Sequence, residues 1–264
     1  MHLQSKRVLI TGASRGIGES LARAFAAAGA TVTLVARSQD KLAGLADELD
    51  GTAHAADLAD PEQVAHLIPR IEAETGPLDV LVNNAGIEST SGFADAPDDE
   101  LRRVTQVNYL APAELCRQAV QSMLPRGGGH IVNVSSIAGV SAFPGLTTYS
   151  ASKAALSHFT AGMRADLRGL PIRTTLVELG PVPTDMLAAV DNYAPTAAAF
   201  RRAYQLHATV DTPREKVAAE IVKAVQRGKR HLRLPRRTAP FGIVGELPRR
   251  ASEIILTGVP HQPR

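Results

Sequence analysis

The chain has 264 residues, 44% hydrophobic and 21% charged, a length and balance that suit one α/β domain and exclude fibrous, low-complexity and intrinsically disordered classes. Its single cysteine, Cys116, excludes an internal disulfide, has no Cys or His cluster around it that would suggest zinc, and fits a reducing compartment. The net charge of +3 is unevenly spread, with nine Lys and Arg against two Asp and Glu over residues 227–264 and 20 against 24 over residues 1–226, while aromatic residues at 4% give the basic tail no interleaved stacking groups and argue against nucleic acid.

From Met1 a short polar lead runs straight into Val8-Leu9-Ile10, leaving no room for the apolar stretch of a secretory signal, and no apolar run reaches about 18 residues. A soluble, cytoplasmic protein is the expectation. Val8–Ile10, Val32–Ala36 and Val80–Val82 are short, branched and bounded by turn formers, as buried parallel strands are. Ile17, Leu21, Phe25 and Ala28 recur at helical spacing and end at Gly29. A second helix is read over Lys41–Leu49. A third opens at Asp60-Pro61, an N-cap followed by proline at the first helical position, and ends before Gly76-Pro77.

Asp98–Leu124 is periodic throughout and reads as one long helix, His130–Val134 as a strand, Tyr149–Leu167 as a helix and Arg173–Leu179 as a strand. Residues 185–211, Ala-rich with Tyr193, Phe200, Tyr204 and Leu206, read as a helical excursion from the sheet. Arg214–Arg227 follows as a helix, His231–Leu234 as a last strand and Phe241–Val259 as a terminal helical segment. The alternation predicts an α/β fold: a Rossmann-like, doubly wound parallel sheet of about seven strands with helices on both faces, in a single domain.

Thr11-Gly12-Ala13-Ser14-Arg15-Gly16-Ile17-Gly18 lies between the first strand and the first helix. Glycines there let the backbone approach a pyrophosphate, and the helix N-terminus aims unpaired N–H groups at it. At the end of the second strand, where an acidic residue would accept from the ribose 2′-hydroxyl of NAD, stands Val35-Ala36-Arg37-Ser38. Arg37 and Arg15 suit a 2′-phosphate, so NADP(H) is the preferred cofactor and NAD(H) the lesser alternative.

Thr-Gly-x-x-x-Gly-Ile-Gly resembles the glycine motif of the short-chain dehydrogenase/reductase family, in its compact branch, and the likeness extends to about Met186. The resemblance implies that Asp57, followed by Leu58, contacts the adenine ring, and that Asn84-Ala85-Gly86 at the end of the next strand lies against the cofactor. Tyr149 and Lys153, four apart on one helix face, with Ser136 thirteen positions before Tyr149 and Asn108 upstream, match the family's catalytic set. Reduction of a ketone needs hydride at carbon and a proton at oxygen. A free tyrosine, titrating near 10, is poorly matched to neutral pH, so Lys153 is expected to lower the Tyr149 pKa.

The resemblance further implies that Ser136 donates to the substrate oxygen, that Lys153 also bonds the nicotinamide ribose, and that Asn108 helps hold a water. Gly180, Val182 and Thr184 fit contacts to the nicotinamide amide and phosphate, although Leu179 stands where the family carries a proline. The segment 185–211 falls at the family's substrate lid and its composition favours an apolar ketone or alcohol, with Asp191 and His207 as candidate polar contacts. The long helices resemble those that pair subunits, implying a homodimer or homotetramer.

Two other readings stay open: a non-catalytic NADP(H)-sensing regulatory protein, and an enzyme docked to an anionic membrane or a carrier protein. The docking surface would be the basic extension 227–264, with Arg227, Lys229, Arg230, Arg233, Arg236, Arg237, Arg249 and Arg250. No metal site is expected.

Overall fold

Val8, Leu9 and Ile10 are fully buried, and so are Val80, Leu81 and Val82, which explains why these runs are apolar without alternation: both faces of their strands are covered. The structure is a computed structural model that describes residues 1–238. The segment expected over 241–259, with Arg249 and Arg250, lies outside the described residues. Among the described residues seven strands form one sheet: β1 (Arg7–Thr11), β2 (Thr31–Ala36), β3 (Thr52–Ala55), β4 (Val80–Asn83), β5 (Gly129–Ser136), β6 (Ile172–Leu179) and β7 (His231–Leu234). All pairings are parallel and the order is β3-β2-β1-β4-β5-β6-β7.

Because successive strand residues point to opposite faces, the sheet divides the core in two. Val8, Ile10, Val32 and Leu34 face helices α1 (Gly16–Ala27), α2 (Gln39–Glu48) and α10 (Arg214–Arg227), through Leu21, Phe25, Leu42, Ile221 and Val225. Leu9, Val35, Leu81 and Ile131 face α3 (Pro61–Ala65), α4 (Leu67–Thr75), α6 (Ala111–Met123) and α7 (Thr147–Asp166), through Val64, Ile68, Leu115 and Met123. Each such buried aliphatic or aromatic side chain contributes about 1.5–3 kcal/mol.

The Asp60 carboxylate accepts from the Glu62 N–H at 2.9 Å, as an N-cap should, but the helix it opens is interrupted at His66, where α3 passes into α4. The helix expected over Asp98–Leu124 is also broken. It starts as α5 (Glu100–Thr105), widens into a π turn over Gln106–Leu110 and resumes as α6. Apolar periodicity cannot reveal one extra residue in a turn, and such turns occur often at functional sites. The excursion after β6 comprises α8 (Asp185–Ala188), a 3-10 turn over Ala189–Asn192 and α9 (Ala194–Gln205). Among the described residues no helix is long and apolar enough to cross a membrane.

One expectation about the basic tail is overturned. Arg233 is no surface cation: its side chain is 8% exposed and its Nε donates to Glu178 at 2.6 Å, whose carboxylate is fully buried. Register fixes this pair, since Glu178 on β6 lies opposite Arg233 on β7, and His231 Nε2 stands 2.8 Å from the same carboxylate oxygen. Lys229, Arg230, Arg236 and Arg237 are exposed. Removing one partner of a buried pair strands the other charge, so Arg233→Met should lower the unfolding free energy by about 3 kcal/mol or more, measured by urea denaturation at pH 7.

Candidate active site

In a sheet of this order the chain reverses direction between β1 and β4, and the crevice at the C-terminal ends of those two strands is where open α/β sheets take ligands. The turn after β1 and the turn after β4 meet there. Gly12 has φ +66°, and a Cβ on it would stand 2.8 Å from Ala85 Cα; a Cβ on Gly18 would stand 2.1 Å from the Gly12 carbonyl oxygen. Thr11 and Asn84 tie the two turns together. The Thr11 hydroxyl accepts from the N–H groups of Asn84 and Ala85, each at 3.0 Å, and the Asn84 amide donates to the Thr11 carbonyl at 3.0 Å.

Around this crossing, α1 begins at Gly16 with Arg15 extended at its N-cap and with no side-chain cap, leaving its first N–H groups to another acceptor. Ser14 and Ile17 are half-buried, and Arg37 and Ser38 lie exposed beyond β2. Arg15 pairs at 2.5 Å with Asp185, the first residue of α8. Asp57 accepts from the Ala59 N–H at 3.0 Å in a turn of its own, while Leu58 is buried and its carbonyl accepts from Gln106. Beyond β6, Val182 is buried, the Thr184 hydroxyl donates to the Val182 carbonyl at 3.2 Å, and a Cβ on Gly16 would lie 3.5 Å from Thr184 Cγ2.

Leu179 ends β6, lies in the core, and the following Gly180 N–H donates to the Leu234 carbonyl of β7 at 2.7 Å.

The four residues expected to handle the proton gather beside this crossing. Asn108 sits in the π turn, where its Oδ1 accepts from the Ile87 N–H and its Nδ2 donates to the Ile87 carbonyl, both at 2.9 Å. Its amide also donates to Ser152, whose hydroxyl donates to the Tyr149 carbonyl at 2.7 Å and so joins the π turn to α7. Lys153 Nζ donates to the Val134 carbonyl at 3.0 Å and lies 5.9 Å from the Tyr149 ring centroid. A Cβ on Gly86 would be 3.3 Å from both Asn108 Oδ1 and Lys153 Nζ. Ser136, closing β5, accepts from Ala138 and donates to the Leu179 carbonyl at 3.2 Å.

Electrostatics depart from expectation. Burial pushes the Tyr149 phenol above its ordinary value, the Ser136 hydroxyl draws it down, and the Glu88 carboxylate raises it again. Lys153 does not reverse this, because burial works on the ammonium too, depressing its pKa to about 8, and its Nζ hydrogen bond goes to Val134. The effect of the cation on the phenol is thus smaller than the cost of desolvating the phenolate. Cys116 is buried with its Sγ 3.3 Å from the Asn83 amide, and burial pushes its thiol up to about 12.

Thr11, Ser152 and Glu88 are the participants that sequence reasoning missed. Thr11 was visible as a hydroxyl immediately before the first glycine. Ser152 and Glu88 carry no comparable signal, since serine within a helix and glutamate in a loop are ordinary. Asp191 and His207 lie exposed on the excursion.

A doubly wound parallel sheet with a glycine turn at its reversal point, beside a tyrosine, lysine, serine and asparagine, defines an oxidoreductase of the hydride-transferring kind. The chain belongs to the short chain dehydrogenase family, whose family model matches residues 6–194. It is 37% identical over 230 residues to the ketoacyl reductase HetN of Nostoc, an alignment covering 85% of this chain and 76% of that protein. It is 36% identical over 194 residues to dehydrogenase/reductase SDR family member 7B of mouse, covering 70% of this chain and 60% of that one. The crystal structure of a short-chain dehydrogenase from Streptomyces avermitilis superposes with a TM-score of 0.79 at 29% identity, covering 97% and 96% of the two chains.

The Lys153 ammonium gives a stability test. Its folded pKa, about 8, lies below the ordinary 10.5, so between those values the unfolded chain holds a proton that the folded chain has lost. Stability contributed at this position therefore rises with pH across that window, by at most about 3 kcal/mol, and is flat below it. Lys153→Met removes the rise. Urea midpoints measured at pH 7.5 and pH 10 should shift in favour of the parent at the higher pH, relative to the variant.

Proposed function

We propose that the protein transfers hydride between NADP(H) and a carbonyl or secondary alcohol of an apolar small molecule, with Tyr149 as general acid in reduction and general base in oxidation. The observation that carries this reading is the convergence of Tyr149, Lys153, Ser136 and Asn108 next to the crossing of Gly12 and Ala85. The crossing fits a dinucleotide: Gly12 and Gly16 have φ of +66° and +61°, and the uncapped start of α1 offers N–H groups to a diphosphate. Gly12, Ser14, Arg15, Gly16, Ile17 and Gly18 would hold the phosphates, Arg37 and Ser38 the 2′-phosphate, and Asp57 and Leu58 the adenine side. Asn84, Ala85, Gly86, Gly180, Val182 and Thr184 would flank the nicotinamide half.

When bound, the nicotinamide supplies or accepts the hydride. The chain's own part is the proton. Tyr149 donates it to the carbonyl oxygen, Ser136 shares the developing negative charge, and Lys153 favours the phenolate left behind while bonding the ribose. Asn108, held on both sides by Ile87, keeps the π turn open for a water that returns the proton to solvent. The ketoacyl reductase activity named for one relative supports carbonyl reduction as the chemistry. An intact proton-handling set favours catalysis over a purely cofactor-sensing role.

The excursion 185–211 serves as the lid in this reading. Val190, Thr196 and Ala197 are buried against the body, Phe200 lies 5.2 Å from Phe143, and its apolar content suits an apolar substrate. Leu101 and Leu110, exposed on α5 and the π turn, supply apolar surface for a homodimer or homotetramer. The exposed Arg227, Lys229, Arg230, Arg236 and Arg237 supply cations for a weak contact with an anionic membrane or carrier protein, now without Arg233.

Tyr149→Phe should lower kcat by about three orders of magnitude or more with cofactor affinity retained, read by steady-state NADPH oxidation with a ketone panel and by NADPH titration calorimetry. Near-normal turnover rejects the assignment. The cofactor reading has its own check: Arg15→Ala combined with Arg37→Ala should weaken NADPH binding about tenfold or more and leave NADH binding nearly unchanged.

A further inference from the structure

The loop over residues 137–146 leads from Ser136 to the helix that carries Tyr149, and three contacts from the excursion 185–211 fall on it. Thr196, fully buried in the first turn of α9, donates its hydroxyl to the Pro144 carbonyl at 2.6 Å. One turn further along α9, the Phe200 ring lies 5.2 Å from the Phe143 ring. The third contact is Tyr193 on Gly145. Gly145 has φ +78°, and a Cβ on it would stand 2.6 and 3.2 Å from Tyr193 Cδ1 and Cε1 and would run into the Thr196 hydroxyl. Backbone conformation and space together reserve this position for glycine.

Gly145 is also tied to the reacting groups by a closed circuit of hydrogen bonds and short chain segments. The Leu146 carbonyl accepts from the Ser150 N–H at 2.8 Å, which puts Gly145 one helical turn, about 5 Å along the axis, ahead of Tyr149. The Gly145 carbonyl accepts from the Ser91 N–H at 3.1 Å, and four residues before Ser91 both backbone groups of Ile87 are bonded by Asn108 at 2.9 Å. Asn108 donates to Ser152 at 3.0 Å and Ser152 to the Tyr149 carbonyl at 2.7 Å, which closes the circuit. Tyr193 meets it at a second point, since a Cβ on Gly92 would stand 3.2 Å from the Tyr193 hydroxyl.

We propose that Gly145 is the seat on which the lid comes to rest, with Tyr193 and Thr196 as its counterparts: positioning residues that set the lid at a fixed distance from Tyr149 and so hold the substrate against it. This rests on the readings of Tyr149 and of residues 185–211 given above and adds the contact that refers one to the other. The ring of Tyr193 approaches the backbone closely because residue 145 has no side chain, and the buried Thr196–Pro144 bond fixes where along the loop α9 sits. An unseated lid leaves the substrate without one wall, which weakens binding of substrate and transition state alike, while Tyr149 keeps its place through Ser152 and Asn108. The kinetic signature is a rise in KM with little change in kcat.

The test measures KM and kcat for acetophenone, 2-octanone and cyclohexanone with NADPH on the full chain, on Gly145→Ala, on the lid-side pair Tyr193→Ala with Thr196→Val, and on all three changes together. Thermal unfolding and NADPH calorimetry establish that each variant is folded and binds cofactor. Gly145→Ala and the lid-side pair should each raise KM about tenfold, with kcat within about threefold and NADPH affinity unchanged. The triple variant should be no worse than either, because the two sets of changes remove one contact from its two sides. Trypsin cleavage after Arg201 and Arg202, exposed on α9, should slow about fivefold when NADP+ and saturating ketone are added to the parent, and should not slow in the lid-side pair.

An unchanged KM or retained protection in the lid-side pair, or losses that add in the triple variant, overturns the seat and leaves the oxidoreductase reading standing. Where Gly145→Ala does not fold, the lid-side pair, which leaves residue 145 untouched, decides alone. Absence of turnover with every ketone in the parent overturns the oxidoreductase reading and the seat with it.

Discussion

The close approach of Gly12 to Ala85 is the contact on which the arrangement of the site depends. Two strand ends that belong to opposite halves of the sheet can touch there only because residue 12 has no Cβ, and the Thr11 hydroxyl holds them by accepting two N–H groups from the far side. Everything placed after β4 inherits that position: Gly86 against Asn108 and Lys153, then Ile87 locked to the π turn, then Glu88. A bulkier residue at position 12 would move the two turns apart and shift the groups proposed to handle the proton along with them.

The same region carries a stability cost. Lys153 is buried with its pKa drawn down to about 8, and the half-buried Tyr149 has its pKa drawn up by desolvation, so at neutral pH one charged group is held in a poorly solvated place. Several of the flanking polar groups are paired with one another. Asn133 donates to Thr160 and accepts from Asn83, while Ser135 bonds both the Lys153 carbonyl and Ser157. Such a network fixes β5 against α7 and leaves the ends of both, where Ser136 and Tyr149 stand, with little freedom to drift.

Much of this was legible in the residues, and the parts that were not share a cause. The strand–helix order, the Asp60 cap and the placement of Tyr149 and Lys153 on one helix follow from short-range patterns that a sequence displays directly. The π turn at Gln106–Leu110 does not, because one extra residue per turn leaves apolar spacing almost unchanged. The direction of the Tyr149 shift escapes the sequence for a related reason: a nearby ammonium can be inferred from a four-residue spacing, but the desolvation of both groups cannot. Arg233 reads as one more cation in a basic tail until the register of β6 and β7 sets it opposite Glu178.

That register also shows what holds the turn after Leu179, the leucine that stands where the family carries a proline. Gly180, the next residue, is held by its N–H to the Leu234 carbonyl, and Ser136 donates to the Leu179 carbonyl from the other side. The turn that follows, with Val182 packed into the core and Thr184 against Gly16, is therefore fixed by strand pairing. Stiffness that a proline would supply through its ring comes here from β7, and the buried Glu178–Arg233 pair anchors β7 one residue earlier in each strand. In this chain the last strand of the sheet thus helps position the turn proposed to flank the nicotinamide, and a loss of pairing there would reach the site through Gly180 before it reached the glycine turn after β1.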